Sequence, residues 1–215
     1  MLGNFDQACT CRERALALFR ELDDEVWIGH ILNNFGEIAR QRGDYAEALR
    51  WYEEALRIAE RIGNREGEAI YHCNLGGAQM RLGAYELAVR ELRQTLALSS
   101  TGYWISEAHS FLSEALLRQG RLDEAMEAAC QALNVGEETN SKEAVGIAWR
   151  VLGMVAAALQ RAISVHNTVR DVIACFSESE RILAEIGAKV EHARTLSEWA
   201  KHTAWQDPGQ SPPTE

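Results

Sequence analysis

One short pattern returns four times in this chain and limits what it can fold into. The segments from Gly3 to Ala8, Gly43 to Ala48, Gly83 to Ala88 and Gly120 to Ala125 each read glycine, any residue, an aromatic residue or leucine, two further residues, then alanine. They are spaced by 40, 40 and 37 residues. A second set runs in register with them. Seven residues before the last three glycines stand Gly36, Gly76 and Ser113, and seven earlier again Gly29, Ala69 and Ser106. Seven residues are two helical turns, so each unit opens with a helix carrying two small side chains on one face, where a second helix can approach closely. Ala48, Ala88 and Ala125 then start a second helix whose face continues at Ala55, Thr95 and Ala132. A helix, a glycine-centred turn and an antiparallel helix make one unit, which buries its apolar faces only by stacking on neighbours. All three prolines, Pro208, Pro212 and Pro213, fall in the last eight residues, so nothing interrupts helices before them.

The run Asn34-Phe35-Gly36, then Gly43-Asp44-Tyr45, Ala48, Tyr52, Ala55 and Leu56, resembles the tetratricopeptide repeat, and Asn74-Leu75-Gly76 with Gly83-Ala84-Tyr85 and Ala88 matches it again. The period near 40 is similar to the longer-helix subclass of spindle-orientation adaptors, kinesin light chains and the sensor regions of bacterial signalling ATPases. The resemblance implies an all-α fold: a right-handed α-solenoid of antiparallel helix pairs, with first helices lining a concave groove. The segment Ala174 to Leu196 is similar to the carboxy-terminal repeats of large bacterial regulators.

Read along the chain, this predicts ten helices in one stack over 1–206. A half repeat (1–23) precedes pairs at 24–62, 63–99 and 100–138, an irregular pair at 139–187 and a closing helix at 188–206, with a flexible tail at 207–215. The irregular pair lacks the glycine-aromatic turn. Gly153 to Ala174 spans 21 residues where other units span 12, so a longer loop or an extra turn is expected at 162–170. In the first helix Ala8, Ala15, Leu16 and Phe19 share a face that would lack its covering helix. Either the chain is a piece of a longer protein, or that face pairs with another copy, and Phe19→Glu would then abolish a homodimer.

Chemistry is hard to find. There is no GxxxxGK[ST], GxSxG or HExxH, so no enzyme activity and no cofactor are expected. Five scattered cysteines without a CxxC pair read as reduced and mostly buried. His72 and His109 hold equivalent repeat positions without converging carboxylates, which points to packing and not to a metal. The net charge of −10 opposes nucleic-acid binding, and no apolar run approaches the length of a membrane span. With no basic, apolar leader at the amino terminus, a soluble cytoplasmic protein is expected.

What remains is a surface. By the family's register the groove face carries His30, Asn33, Asn34, Glu37 and Arg40 in the first pair, Asn74 and Arg81 in the second, Glu107, Ser110 and Glu114 in the third, and Arg150 in the fourth. The resemblance implies that Asn34 and Asn74 bind the backbone of an extended peptide, which an amide can do because it both donates and accepts. The alternative is that each serves packing in its own pair. Phe111 and Val151 stand where later pairs would need Asn, and the carboxylate clamp of chaperone-tail relatives is missing. The expected function is therefore a noncatalytic module that binds a peptide or protein segment in its groove, as the sensor or scaffold part of a larger signalling or transcriptional regulator. A small-molecule sensor at the irregular pair and a self-associating scaffold are the alternatives.

Overall fold

The computed structural model describes the backbone of residues 2–102 and 104–203, and the side chains at 11 and 13–202 among these. The helices are α1 (Leu2–Glu21), α2 (Glu25–Gln41), α3 (Tyr45–Ile62), α4 (Arg65–Arg81), α5 (Tyr85–Leu98), α6 (Trp104–Arg118), α7 (Leu122–Glu138), α8 (Lys142–Leu159), α9 (Val172–Glu185) and α10 (Lys189–Thr203). Their bounds follow the repeat register. Tyr103, Trp205 and the tail lie outside the described residues. The chain divides into two compact units, Met1–Trp104 and Ile105–Glu215.

Caps explain where the helices begin. Asp24, Asp44, Asn64, Ser141 and Asp171 each accept a hydrogen bond from the backbone N–H three residues on, satisfying one of the donors a helix start leaves open. The recurring glycine explains the turn. Gly43, Gly83 and Gly120 have φ of 80°, 79° and 73°, a left-handed conformation that costs a side chain about 1 kcal/mol.

The small residues do what their spacing implies. A Cβ on Gly36 would lie 2.3 Å from the Tyr52 ring, and one on Gly76 2.5 Å from Leu92 Cγ, so each glycine lets a large residue of the paired helix press onto the backbone. In the third pair serines fill the same positions and add polar contact. Ser113 Oγ donates to the Ala125 carbonyl at 2.6 Å and Ser106 Oγ to the Ala132 carbonyl at 2.8 Å. Around these contacts the first unit buries Leu16, Ile31, Leu32, Tyr52, Tyr71 and Leu75. The second buries Leu133, Trp149, Val151, Leu152 and Ile182 in one cluster.

Two expectations need correction. Of the α1 face expected to stand uncovered, the Ala8 side chain lies outside the described ones and the rest is packed, because Leu16 is buried and Ala15 and Phe19 pack with it against Ile28 and Ile31 of α2. Phe19→Glu would therefore disturb the fold and cannot report on a dimer. The large apolar residues here that do face water are Leu18 of α1 and Leu22 just after it.

The insertion, in turn, is neither an open loop nor a helical turn but an antiparallel hairpin, β1 (Ile163–Val165) with β2 (Thr168–Arg170), in which Val165 pairs with Thr168. His166 and Asn167 form its two-residue loop with φ of 47° and 61°, the double left-handed geometry that matches strand twist. Ile163 and Val165 point into the α8 and α9 core, and Arg170 lies over the Trp149 ring at 5.6 Å. The hairpin thus covers Trp149 where other units place a short turn. Because only glycine occupies that loop conformation without strain, Asn167→Gly is expected to raise stability by about 0.5 kcal/mol. Urea denaturation checks this, and a loss of stability would show that the Asn167 side chain has a partner role.

Candidate functional site

In the first unit α2 and α4 present the expected face. Asn74 Nδ2 donates to Asn33 Oδ1 at 2.7 Å, joining the first helices of neighbouring pairs. Both amides are half-buried, and Asn34 beside Asn33 is exposed. One turn on, Glu37 is held from two sides. Arg40 donates to it from Nε at 3.2 Å and from Nη2 at 2.6 Å, and the buried Tyr52 hydroxyl donates at 2.5 Å. Burial first, then the charge and hydrogen bond of Glu37, push the Tyr52 phenol well above its usual range, so it stays a donor. His30 is half-buried and meets the Trp27 ring in an edge-to-face arrangement, and Arg81 is exposed at the end of α4. Cys73, Gly77 and Met80, also on α4, are buried.

His72 lies behind that face. Its Nδ1 donates to Glu91 at 2.7 Å, and this bond, with Arg90, keeps the Glu91 carboxyl below the usual range despite burial. No group of three or more His, Cys, Asp or Glu side chains that could hold a metal occurs among the described residues. No described helix is long and apolar enough to cross a membrane.

In the second unit the corresponding face is closed. Arg150 on α8 is 4% exposed; its Nη1 donates to Glu191 of α10 at 2.7 Å, and its Nη2 lies 3.9 Å from Glu114 of α6. Burial alone would raise the Glu191 carboxyl, but Arg150 and Arg194 hold it below the usual range. Ser110 is buried with its hydroxyl lacking a hydrogen-bond partner among the described residues, and burial keeps His109 beside it below the usual imidazole range. Glu107 is half-buried. Of the expected face residues in this unit, Ser110, Glu114 and Arg150 are thus turned inward. Glu191 was not expected here; its only sequence signal is its place on the closing helix.

Sequence reasoning also missed Tyr52 as the support of Glu37. The repeat marks it as core, and nothing in the periodicity says where its hydroxyl reaches. Beside the hairpin of the second unit a cleft of about 610 Å³ opens between the end of α8, the start of α9 and His202 of α10. Ala157, Arg161, Asp171 and Ile173 line it, and His202 stacks on Phe176 at 5.9 Å.

Comparisons with known proteins agree with this architecture. Family models described as tetratricopeptide repeat match residues 1–61 and 27–101, and another of the same description matches 73–134. The regulatory protein AfsR of Streptomyces griseus is 31% identical over 140 residues, which cover 65% of this chain and 14% of that protein. Tetratricopeptide repeat protein 7B of Homo sapiens is 32% identical over 136 residues, again 14% of its length. The chain therefore spans about one seventh of the length of these relatives. Among solved structures, BtubC (BKLC) from P. vanneervenii aligns over 98% of this chain and 95% of its own, with a TM-score of 0.59 at 14% identity, a likeness of fold alone. Paired helices, small-residue contacts, glycine turns and family models converge: the chain is an all-α solenoid that belongs to the tetratricopeptide repeat family.

Proposed function

We propose that this chain is a noncatalytic module that binds an extended segment of a protein partner along the α2 and α4 face of its first unit. The observation that carries the reading is the bridge between Asn33 and Asn74. Each amide has two donor protons and an acceptor oxygen, and the bridge uses one proton of Asn74 and the oxygen of Asn33. Asn33 keeps its donors and Asn74 its acceptor, oriented by the bond between them, which is what a peptide C=O and N–H require. Exposed Asn34 adds a third amide on the same face, and the Glu37, Arg40 and Tyr52 cluster adds fixed charge. Chemistry on the substrate is not needed for any of this.

The likeness to a regulatory protein supports a place as sensor or scaffold within a larger signalling or transcriptional regulator in the cytoplasm. Nucleic acid is an unsuitable partner for so acidic a chain. The cleft beside the hairpin favours one second reading, a small-molecule sensor, since its volume is within the range of ligand pockets.

Asn34→Ala with Asn74→Ala is expected to weaken binding of a peptide selected from a displayed library by about tenfold or more, since at least two hydrogen bonds are lost. Calorimetric titration measures the affinity, and thermal unfolding should show only the small loss of one half-buried hydrogen bond, about 1 kcal/mol. Unchanged affinity in the double variant would sink the reading.

A further inference from the structure

Trp27 begins the same stripe of α2. It lies three residues before His30 and seven before Asn34, one and two turns of helix along that face. One face of its indole is stacked on Phe19 at 5.5 Å and 11°, and the His30 ring meets it in an edge-to-face arrangement at 5.6 Å. Yet Trp27 is 54% exposed, so much of the indole meets water. A large aromatic surface held rigid on two sides and open on the third is the kind of residue that dominates binding interfaces.

An open indole can take an apolar side chain or a cation, and the surrounding charge decides between them. Glu21 and Asp23 are exposed shortly before α2, and the Asp24 carboxylate accepts from the backbone N–H of Trp27 at 3.1 Å. The nearby cations are engaged elsewhere: Arg20 pairs with Glu54 at 3.8 Å and Arg61 pairs with Glu25. Three carboxylates within six residues of Trp27 along the chain, none with an ion-pair partner among the described residues, therefore make the neighbourhood of the ring acidic, and the face of an indole already attracts positive charge. Exposed Leu18 near the end of α1 and Leu22 just after it offer apolar surface for an aliphatic stem.

We infer that the exposed indole of Trp27, at the acidic segment that carries Glu21, Asp23 and Asp24, is a subsite for an arginine or lysine side chain of the docked segment. The inference rests on the groove reading above and gives it a partner class: an extended peptide with a basic residue at the end that lies over the start of α2. The phenyl ring of Phe19 sets the plane of the indole, and the carboxylates supply the long-range attraction, so the preference weakens as salt rises.

The test uses an immobilised array of peptides about nine residues long, alanine and serine except for one Arg, Lys, Leu, Phe or Glu at each position in turn. Wild-type protein should retain Arg and Lys peptides about two- to fivefold better than Leu peptides, the scale of an exposed cation and aromatic pair. Trp27→Ala should erase that preference while leaving the remaining retention, and Trp27→Phe should restore part of it. Loss of retention by Asn34→Ala with Asn74→Ala reads the groove separately. Retention that depends on these amides but ignores basic residues, favours Leu or Phe, or keeps its basic preference in Trp27→Ala overturns the subsite and leaves the groove standing. An array that retains nothing overturns the groove, and the subsite with it.

Discussion

Gly36→Ala is expected to lower the melting temperature by about 4–8 °C, more than a single methyl group ordinarily does. The added Cβ would lie 2.3 Å from Tyr52 Cε1, 2.6 Å from Cδ1 and 2.9 Å from Cζ. Tyr52 has nowhere to retreat: it is fully buried, and its hydroxyl is tied to Glu37. Overpacking of this kind costs about 1–3 kcal/mol, and displacing the ring removes a hydrogen bond worth about 1 kcal/mol more. Against this, alanine is the better helix former by about 1 kcal/mol. The net is a loss of about 2 kcal/mol.

Other glycines make the prediction specific. At Gly29 the nearest atom to a new Cβ is the Tyr71 hydroxyl oxygen at 3.0 Å, the far end of a side chain, so Gly29→Ala should be close to neutral. Gly43 has open space around it but a φ of 80°, so alanine there should cost about 1 kcal/mol through backbone strain alone. Thermal unfolding of the three variants should therefore rank Gly36 worst, Gly43 next and Gly29 least. Tyr52→Leu combined with Gly36→Ala should recover part of the loss, because the two positions share one volume. An unchanged melting temperature in Gly36→Ala would remove close helix approach as the reason for the recurring small residue.

The same comparison shows why the repeat was legible and its functional face only partly so. A small residue every seven positions, a glycine at each turn and an Asp or Asn at a helix start are local requirements, and each leaves a residue type at a fixed place. Helix order and bounds followed from them. The hairpin also left a local mark. Ile163 and Val165 alternate with Ser164, and His166 and Asn167 separate them from Thr168 and Val169, a two-residue loop between β-branched runs. It was obscured by the helical period on both sides.

Partners across helices leave no such mark. Nothing in the spacing of Asn33 and Asn74 says that their amides meet, because that depends on how neighbouring pairs are offset along their axes. Nor does the repeat register say that Arg150 is covered, since the residue that covers it, Glu191, belongs to a helix outside the regular pattern. Exposure is equally hidden. Trp27 and Trp149 occupy first helices alike, but one is 54% exposed and the other 7%.

Arg150→Met is expected to cost the second unit about 3 kcal/mol, and the reason is what it leaves behind. Glu191 and Glu114 have side chains only 13% and 9% exposed, and Arg150 is the cation between them. Removing one member of a buried ion pair leaves a charge that neither water nor protein compensates, a loss of about 3–5 kcal/mol. Arg194 still pairs with Glu191, which places the effect at the lower end. Arg150→Met with Glu191→Met should be much milder than the single variant, because well-packed apolar replacement of a buried pair is often neutral.

The pH dependence carries a sign that separates this account from simple loss of packing. Glu191 has a folded pKa below its unfolded value, held there by Arg150 and Arg194 against burial. Its stabilisation is therefore complete above the ordinary carboxylate range, about 4.3 and upward, and disappears as pH falls through the lower folded value. Without Arg150 the carboxyl loses its principal support and its folded pKa rises, so protonation relieves the variant at a pH where it still weakens the wild type. Urea denaturation should thus show a wide gap between the two proteins at pH 7 and a narrower one near pH 4. A gap of the same size at both would mean that Arg150 contributes through the packing of its aliphatic stem. Hydrogen exchange then locates the effect: α10 is joined to α8 through Glu191, so its amides should lose protection before those of α8 and α9.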